Sequence, residues 1–207
     1  MVALTLYHAV PSRSSSVRWM LEELGEPYEI ELIALSKGDQ RSEAYKAINP
    51  MGKVPALRHG DAVVSEAAAI CTYLADAFPG ANLNIPIGDP LRGPYLKWLF
   101  FGPSCIEAAI LDRAMPRKEE PRRGVLGYGD IGTVLDVVSG ALKGGPYLMG
   151  QQFTAADVVV GSALRFGATF KLLPDLPEIA AYIARLQERP ALQRTVTLDG
   201  ELAAAAS

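Results

Sequence analysis

The chain has 207 residues, enough for one or two domains and a sizeable core. It is 49% hydrophobic and 21% charged, an ordinary globular balance, and its formal net charge of -3 argues against a nucleic-acid partner, which needs a concentrated basic surface. No apolar run approaches the ~20 residues of a membrane helix. Met1 to Tyr7 lacks the basic start of a signal peptide, so a cytoplasmic protein without a membrane partner is expected.

Residues 3–8 alternate as a strand. Ser14 to Leu24 places Val17, Met20, Leu21 and Leu24 at helical spacing, and Gly25 with Pro27 ends that helix. Tyr28 to Leu35 reads as a second strand, and Ser42 to Ile48 as a short helical turn stopped by Asn49-Pro50. Val54 to Arg58, interrupted by Pro55, reads as an edge strand, because proline has no backbone donor for a ladder. His59-Gly60-Asp61 is a tight turn into a short strand at Ala62 to Val64. Glu66 to Phe78 is a strong helix, stopped by Pro79-Gly80. The order βαβ, α, ββα requires one parallel pair with a crossover and adds antiparallel strands.

Residues 79–90 hold several prolines and glycines and read as a linker. No convincing strand follows. Leu91 to Ala114 is long and apolar, with Gly102-Pro103 expected to kink it. Further helices are predicted at about 126–142, 154–167, 176–187 and 190–197, with fraying from Ala203 to Ser207. Thr154 and Asp157 have the spacing of a reciprocal cap, which favours a buried helix over a strand for Val158-Val159-Val160. The chain therefore divides into 1–78, a linker at 79–90, and an all-helical domain at 91–207. The cleft between two such domains is a normal place for a ligand.

Cys71 and Cys105 lie far apart in apolar helical patterns and read as buried free thiols. His8 and His59 are too few for a metal cluster, and no metal is expected. The basic stretch Arg113 to Arg123 also holds Glu119 and Glu120, follows Asp112, and reads as a solvated loop or helix end rather than an anion site.

Asn49-Pro50-Met51-Gly52-Lys53-Val54-Pro55-Ala56-Leu57, followed by Ser65-Glu66-Ala67, is the most informative stretch. A cis bond at Pro55 would turn the Val54 N–H and C=O outward, where an extended peptide can pair with them. The helix start after Ser65 offers free N–H groups to a carboxylate, and Glu66 can take an ammonium group. On the other reading, Val54-Pro55 is a structural turn and Ser65 simply caps the helix.

These motifs, with Trp19 to Gly25, Glu66 to Leu74 and Gly150 to Asp157, resemble the cytosolic glutathione S-transferases across nearly the full chain. The resemblance implies a thioredoxin-like N-terminal domain with a mixed four-stranded sheet, an all-α C-terminal domain, cis-Pro55 and a homodimer. It implies glutathione as co-substrate, held by Val54 through its backbone, by Glu66 and Ala67 at the γ-glutamyl end, and by Lys53 and Gln40 at the glycine carboxylate. Asp157 matches a buried capping acid of the helical domain. Ala67 departs from the pattern: many relatives have serine there, so a hydroxyl contact is lost. The group that activates the thiol falls in Val10-Pro11-Ser12-Arg13-Ser14-Ser15-Ser16, where Ser12 and Ser14 are the candidates beside Arg13, the backbone N–H groups and Tyr7. No cysteine stands there, which argues against mixed-disulfide chemistry.

Arg18 is expected in a structural ion pair. Trp98, Phe101, Cys105 and Ile106 read as core, or in part as the wall of an apolar pocket. The implied activity is transfer of glutathione to a small electrophilic apolar substrate or a peroxide, with peroxidase, dehalogenase or lyase side activities open. A non-catalytic glutathione-binding or protein-interaction module is the alternative.

Overall fold

The computed structural model describes residues 3–119 and 121–205. The expectations for Met1, Val2, Glu120 and the last two residues lie outside them. Two compact units are present: one runs to Ala81 and resumes at Arg189, and the other is Asn82–Glu188.

The first unit is a four-stranded mixed sheet with helices, a thioredoxin-like arrangement. Strand β1 (Leu4–His8) leads through helix α1 (Ser14–Leu24) to β2 (Tyr28–Leu32), which pairs with β1 in parallel. Gly25, at φ 71, ends α1 by donating its N–H to the Leu21 carbonyl. After α2 (Glu43–Lys46), strands β3 (Ala56–His59) and β4 (Ala62–Ser65) complete the order β2-β1-β3-β4, and α3 (Ala67–Ala77) follows. Leu4, Leu6, Val17, Met20, Leu57, Ile70 and Leu74 form the core, their alternation or helical spacing turning them to one side.

Three details differ from the sequence expectation. The strand after Pro55 is internal, between β1 and β4, and begins one residue beyond the proline, so no ladder donor is missing. Strand β2 stops at Leu32 rather than Leu35: Ile33 still donates to the His8 carbonyl, but the chain then turns through short 3-10 segments. The final helix, α9 (Pro190–Ala205), runs well past the expected 197 and belongs with the first unit, although the sequence division places it in the helical domain. Its charges explain this. Arg189 grips the Glu23 carboxylate with two bonds at 2.6 and 2.7 Å, Arg194 pairs with Glu22, and Asp199 meets Arg18 at 2.7 Å, all on α1 or its last turn.

The second unit is helical. It holds α4 (Arg92–Phe101), a π-helical turn (Gly102–Glu107), α5 (Ala108–Ala114), α6 (Ile131–Leu142), α7 (Ala155–Thr169) and α8 (Pro177–Gln187). The expected kink at Gly102-Pro103 is taken up by the wider π turn, with the proline in its first turn. A Cβ on Gly102 would lie 2.7 Å from Cγ1 of Val159, so glycine lets this turn meet α7. Helix α6 starts later than 126 because Asp130 caps it, accepting the Thr133 N–H at 2.8 Å. Helix α7 opens on the Thr154–Asp157 box, and the fully buried Asp157 also accepts from the Leu148 N–H and the Tyr182 hydroxyl, each at 2.9 Å. Burial pushes the Asp157 carboxyl up, against these bonds.

Cys71 is buried, and desolvation pushes its thiol up to about 12. Cys105 is only half-buried on the π turn, contrary to expectation. Trp98 and Ile106 are core residues, whereas Phe101 is half-buried. Arg117, on the exposed loop after α5, pairs with Asp112 in the last turn of that helix. Among the described residues no helix is long and apolar enough to cross a membrane, and no cluster of three metal-ligating side chains forms.

Candidate glutathione site at the end of the sheet

Strand register collects the motif residues. The β1–β3 ladder ends at Tyr7↔Ala56, and the β3–β4 ladder begins at Ala56↔Ser65. The segments after β1, before β3 and after β4 therefore leave the sheet at one end. They carry Ser12 and Ser14, Lys53 and Val54, and Glu66 and Ala67.

The Val54–Pro55 bond is cis, and Val54 is half-buried outside both ladders, packed on the cluster of Tyr7, Ile33, Tyr45 and Ala56. The backbone entering it is anchored from the side: the Lys53 carbonyl accepts from the Tyr45 hydroxyl and from the Asn49 amide, both at 2.7 Å. The buried Asn49 also accepts the Met51 N–H at 3.1 Å, closing the turn that the Asn-Pro-Met-Gly sequence suggests. Gly52, at φ 60, is needed twice, since a Cβ there would also stand 2.8 Å from the Gln40 backbone carbonyl. That close approach brings the Gln40 segment beside Lys53.

A cleft of about 310 Å³ lies there, lined by Gln40, Arg41, Lys46, Met51, Gly52 and Lys53 among others. Lys46 is paired with Glu43 at 2.7 Å, while Gln40 carries a buried side-chain oxygen with no hydrogen-bond partner. A rim of cations suits a carboxylate, whereas the free Gln40 oxygen is itself an acceptor and its amide nitrogen donates to the Leu35 carbonyl.

Glu66 is the N-cap of α3 and is exposed, at φ 69 and ψ 117. A non-glycine residue there costs roughly 1–3 kcal/mol, a strain that collects at functional sites. Contrary to the simple capping alternative, Ser65 ends β4, and no side chain caps this helix. The first α3 bond runs from the Ile70 N–H to the Glu66 carbonyl, so the preceding N–H groups, Ala67 included, have no intrahelical acceptor. An anion is favoured at this end, and the Glu66 carboxylate beside it suits an ammonium group.

The first loop separates the candidate serines. Ser12 is half-buried, and its Oγ accepts the Ser14 N–H at 3.0 Å. Ser14 is fully buried, and its hydroxyl is engaged on all sides: it accepts the Ala9 N–H at 3.1 Å and meets Ser12 Oγ at 2.5 Å, His8 Nδ1 at 2.7 Å and the Ala9 carbonyl at 3.2 Å. Arg13 is exposed at the start of α1. Tyr7 is a packed strand residue: its ring stacks edge-on with Tyr45 at 5.8 Å, and its oxygen accepts from Arg58 at 3.2 Å. Arg18 makes the expected ion pair, with Asp199.

His8 and Asp199 are the residues that sequence reasoning passed over. His8 Nε2 lies 3.1 Å from Asp199, which also accepts the Ser15 hydroxyl at 2.5 Å. Burial alone would push the Asp199 carboxyl up, but the bonds from His8, Ser15 and Arg18 outweigh it and hold it below the usual carboxylate range. His8 and Asp199 stand 191 positions apart, so no local spacing could have joined them.

Comparison with known proteins gives this geometry its family. Residues 12–77 match the model of the glutathione S-transferase N-terminal domain, and residues 128–190 that of the C-terminal domain. The chain is 31% identical over 183 residues to glutathione S-transferase GstA of Escherichia coli O157:H7, covering 87% of this chain and 90% of that protein. Among solved structures, a glutathione transferase from Methylococcus capsulatus str. Bath superimposes with a TM-score of 0.80 at 31% identity, covering 95% of this chain and 98% of the other. The glutathione transferase URE2P6 from Phanerochaete chrysosporium, in complex with oxidized glutathione, gives 0.80 at 26% identity, covering 97% of each chain. Two domain matches in the right order, and a relative aligned over most of both chains, show that this chain belongs to the glutathione S-transferase family.

Proposed function

We propose that this chain binds glutathione at the end of its sheet, ionises the thiol in the first loop and directs the thiolate at a small electrophilic or peroxide substrate. The observation that carries this reading is the register, which gathers the first loop, Val54 and the start of α3 at one sheet end. The Val54 backbone pairs with the cysteine of glutathione. Glu66 and the Ala67 N–H receive the ammonium and carboxylate of the γ-glutamyl end. Lys53 holds the glycine carboxylate in the adjoining cleft, and Gln40 joins it by turning its amide nitrogen away from the Leu35 carbonyl. The oxidized glutathione held by the Phanerochaete relative supports the choice of ligand.

Ser12 supplies the hydroxyl beside the sulfur, because Ser14 is buried behind it. An unperturbed cysteine thiol has a pKa of ~8.5, and a hydrogen bond to the anion lowers it. A cytoplasmic homodimer completes the proposal. Which electrophile is used depends on side chains rather than fold, so conjugation, peroxide reduction, dehalogenation and ether cleavage are candidates for a substrate panel.

The test is Ser12→Ala. Losing a hydrogen bond to a charged sulfur, worth ~1.5–3 kcal/mol, should lower kcat about 10- to 100-fold while glutathione affinity changes little. Wild-type turnover in that variant would move the role to Arg13 or the loop backbone.

A further inference from the structure

Ser12 is the outer end of a buried hydrogen-bonded chain that continues through Ser14 and His8 to Asp199, with separations of 2.5, 2.7 and 3.1 Å. We propose that this chain is a proton relay, in which His8 receives the proton of the glutathione thiol through the two serine hydroxyls. The proposal rests on the reading that glutathione places its sulfur at Ser12.

Proton counting supports it. Asp199 is held ionised and can only accept, so His8 carries a proton on Nε2. In the resting arrangement His8 Nδ1 is an acceptor and takes the single O–H of Ser14. Ser14 Oγ then accepts from the Ala9 N–H and from the Ser12 O–H. Ser12 Oγ accepts the Ser14 N–H and keeps one lone pair for an incoming proton. Each link then has one donor and one acceptor, with the Ala9 carbonyl left as the longer 3.2 Å neighbour of Ser14, but Ser12 has no proton left to donate to a thiolate.

Shifting each proton one place resolves this. The S–H bond breaks and an O–H bond forms at Ser12. The former Ser12 proton moves to Ser14, and the former Ser14 proton moves to His8 Nδ1. No electrons are exchanged: the sulfur gains one negative charge and the imidazole one positive. Ser12 now points its O–H at the thiolate and accepts from the Ser14 hydroxyl and N–H, while Ser14 accepts from His8 and Ala9. Each link again has one donor and one acceptor. When the sulfur forms its new bond and loses its charge, the proton returns by the same route to the leaving group or to water.

The charges that face His8 favour this state only with an anion bound. Asp199 from α9 faces the ring, and Arg18 from α1 already shares that carboxylate at 2.7 Å; on β2 the partner of His8 is the uncharged Leu32. A protonated His8 thus leaves an excess buried positive charge, which the thiolate offsets.

The chain contains only two histidines, so imidazole nitrogen NMR can follow His8 in the unmodified protein, with His59, bonded to Tyr73, as an internal reference. Saturating glutathione at neutral pH should move His8 Nδ1 from the unprotonated to the protonated range, in step with thiolate absorbance. S-methylglutathione, which has no thiol proton, should bind without this change. In His8→Gln the thiolate fraction should fall about tenfold, with glutathione affinity retained. Thiolate forming while His8 Nδ1 stays unprotonated would overturn the relay and leave the Ser12 reading intact. Failure of both ligands to bind, or binding without thiolate, would overturn the proposed function and the relay with it.

Discussion

At the scale of single residues, Gly52 and Ala67 show how little chemistry separates a scaffold from a site. Gly52→Ala would set a methyl 2.8 Å from the Gln40 carbonyl at a backbone φ of 60. We expect a loss of about 1–3 kcal/mol in denaturant unfolding, and weaker glutathione binding because the Gln40 segment must move away from Lys53. Ala67→Ser works in the opposite direction. It adds one hydroxyl at the start of α3, worth ~0.5–1.5 kcal/mol, so glutathione should bind about 2- to 10-fold more tightly by calorimetry. Ala67 was legible in the sequence because it departs from a short motif whose helix-start chemistry is local, whereas Gly52 was legible only as part of a turn, its contact being with Gln40 twelve positions earlier. The Ser12–Ser14–His8–Asp199 chain was not, since its inner half depends on a residue from the last helix.

At the scale of elements, the start of α7 is the clearest case of local sequence fixing local structure. The Thr154–Asp157 pair spans three positions, and its reciprocal bonds are present. Asp157 does more than cap: it also holds the Leu148 N–H and the hydroxyl of Tyr182 on α8. Asp157→Ala would leave several buried donors without acceptors at a cost of about 3 kcal/mol or more, seen as a lower unfolding midpoint. Asp157→Asn should lose less, because the amide oxygen still accepts. The π turn at Gly102–Glu107 was foreseen only as a disturbance. Proline removes a donor, but whether the helix bends or widens depends on the neighbour, here Val159 pressed against Gly102. The same limit applies to α9, whose apolar pattern shows that a helix exists but not which α1 charges it will meet.

At the scale of the whole chain, the last helix joins the two ends of the sequence through charge, and that makes stability depend on acid. Asp199 is buried with Arg18, His8 and Ser15 on its oxygens, and its carboxyl titrates below the ordinary value near 3.8. In the unfolded chain the group returns to about 3.9. Folding therefore favours the ionised form: its contribution is fully present above about pH 4 and is lost as pH falls through the lower folded-state value. Asp199→Asn removes this dependence. At neutral pH it leaves Arg18 beside an uncharged amide, so the variant should melt below the wild type. On acidification through that window the wild type should lose stability faster, and the two melting temperatures should converge. Parallel curves for the two proteins across the window would show that acid sensitivity resides in other carboxylates, and that the α1–α9 contact is held by the Arg189–Glu23 and Arg194–Glu22 pairs instead.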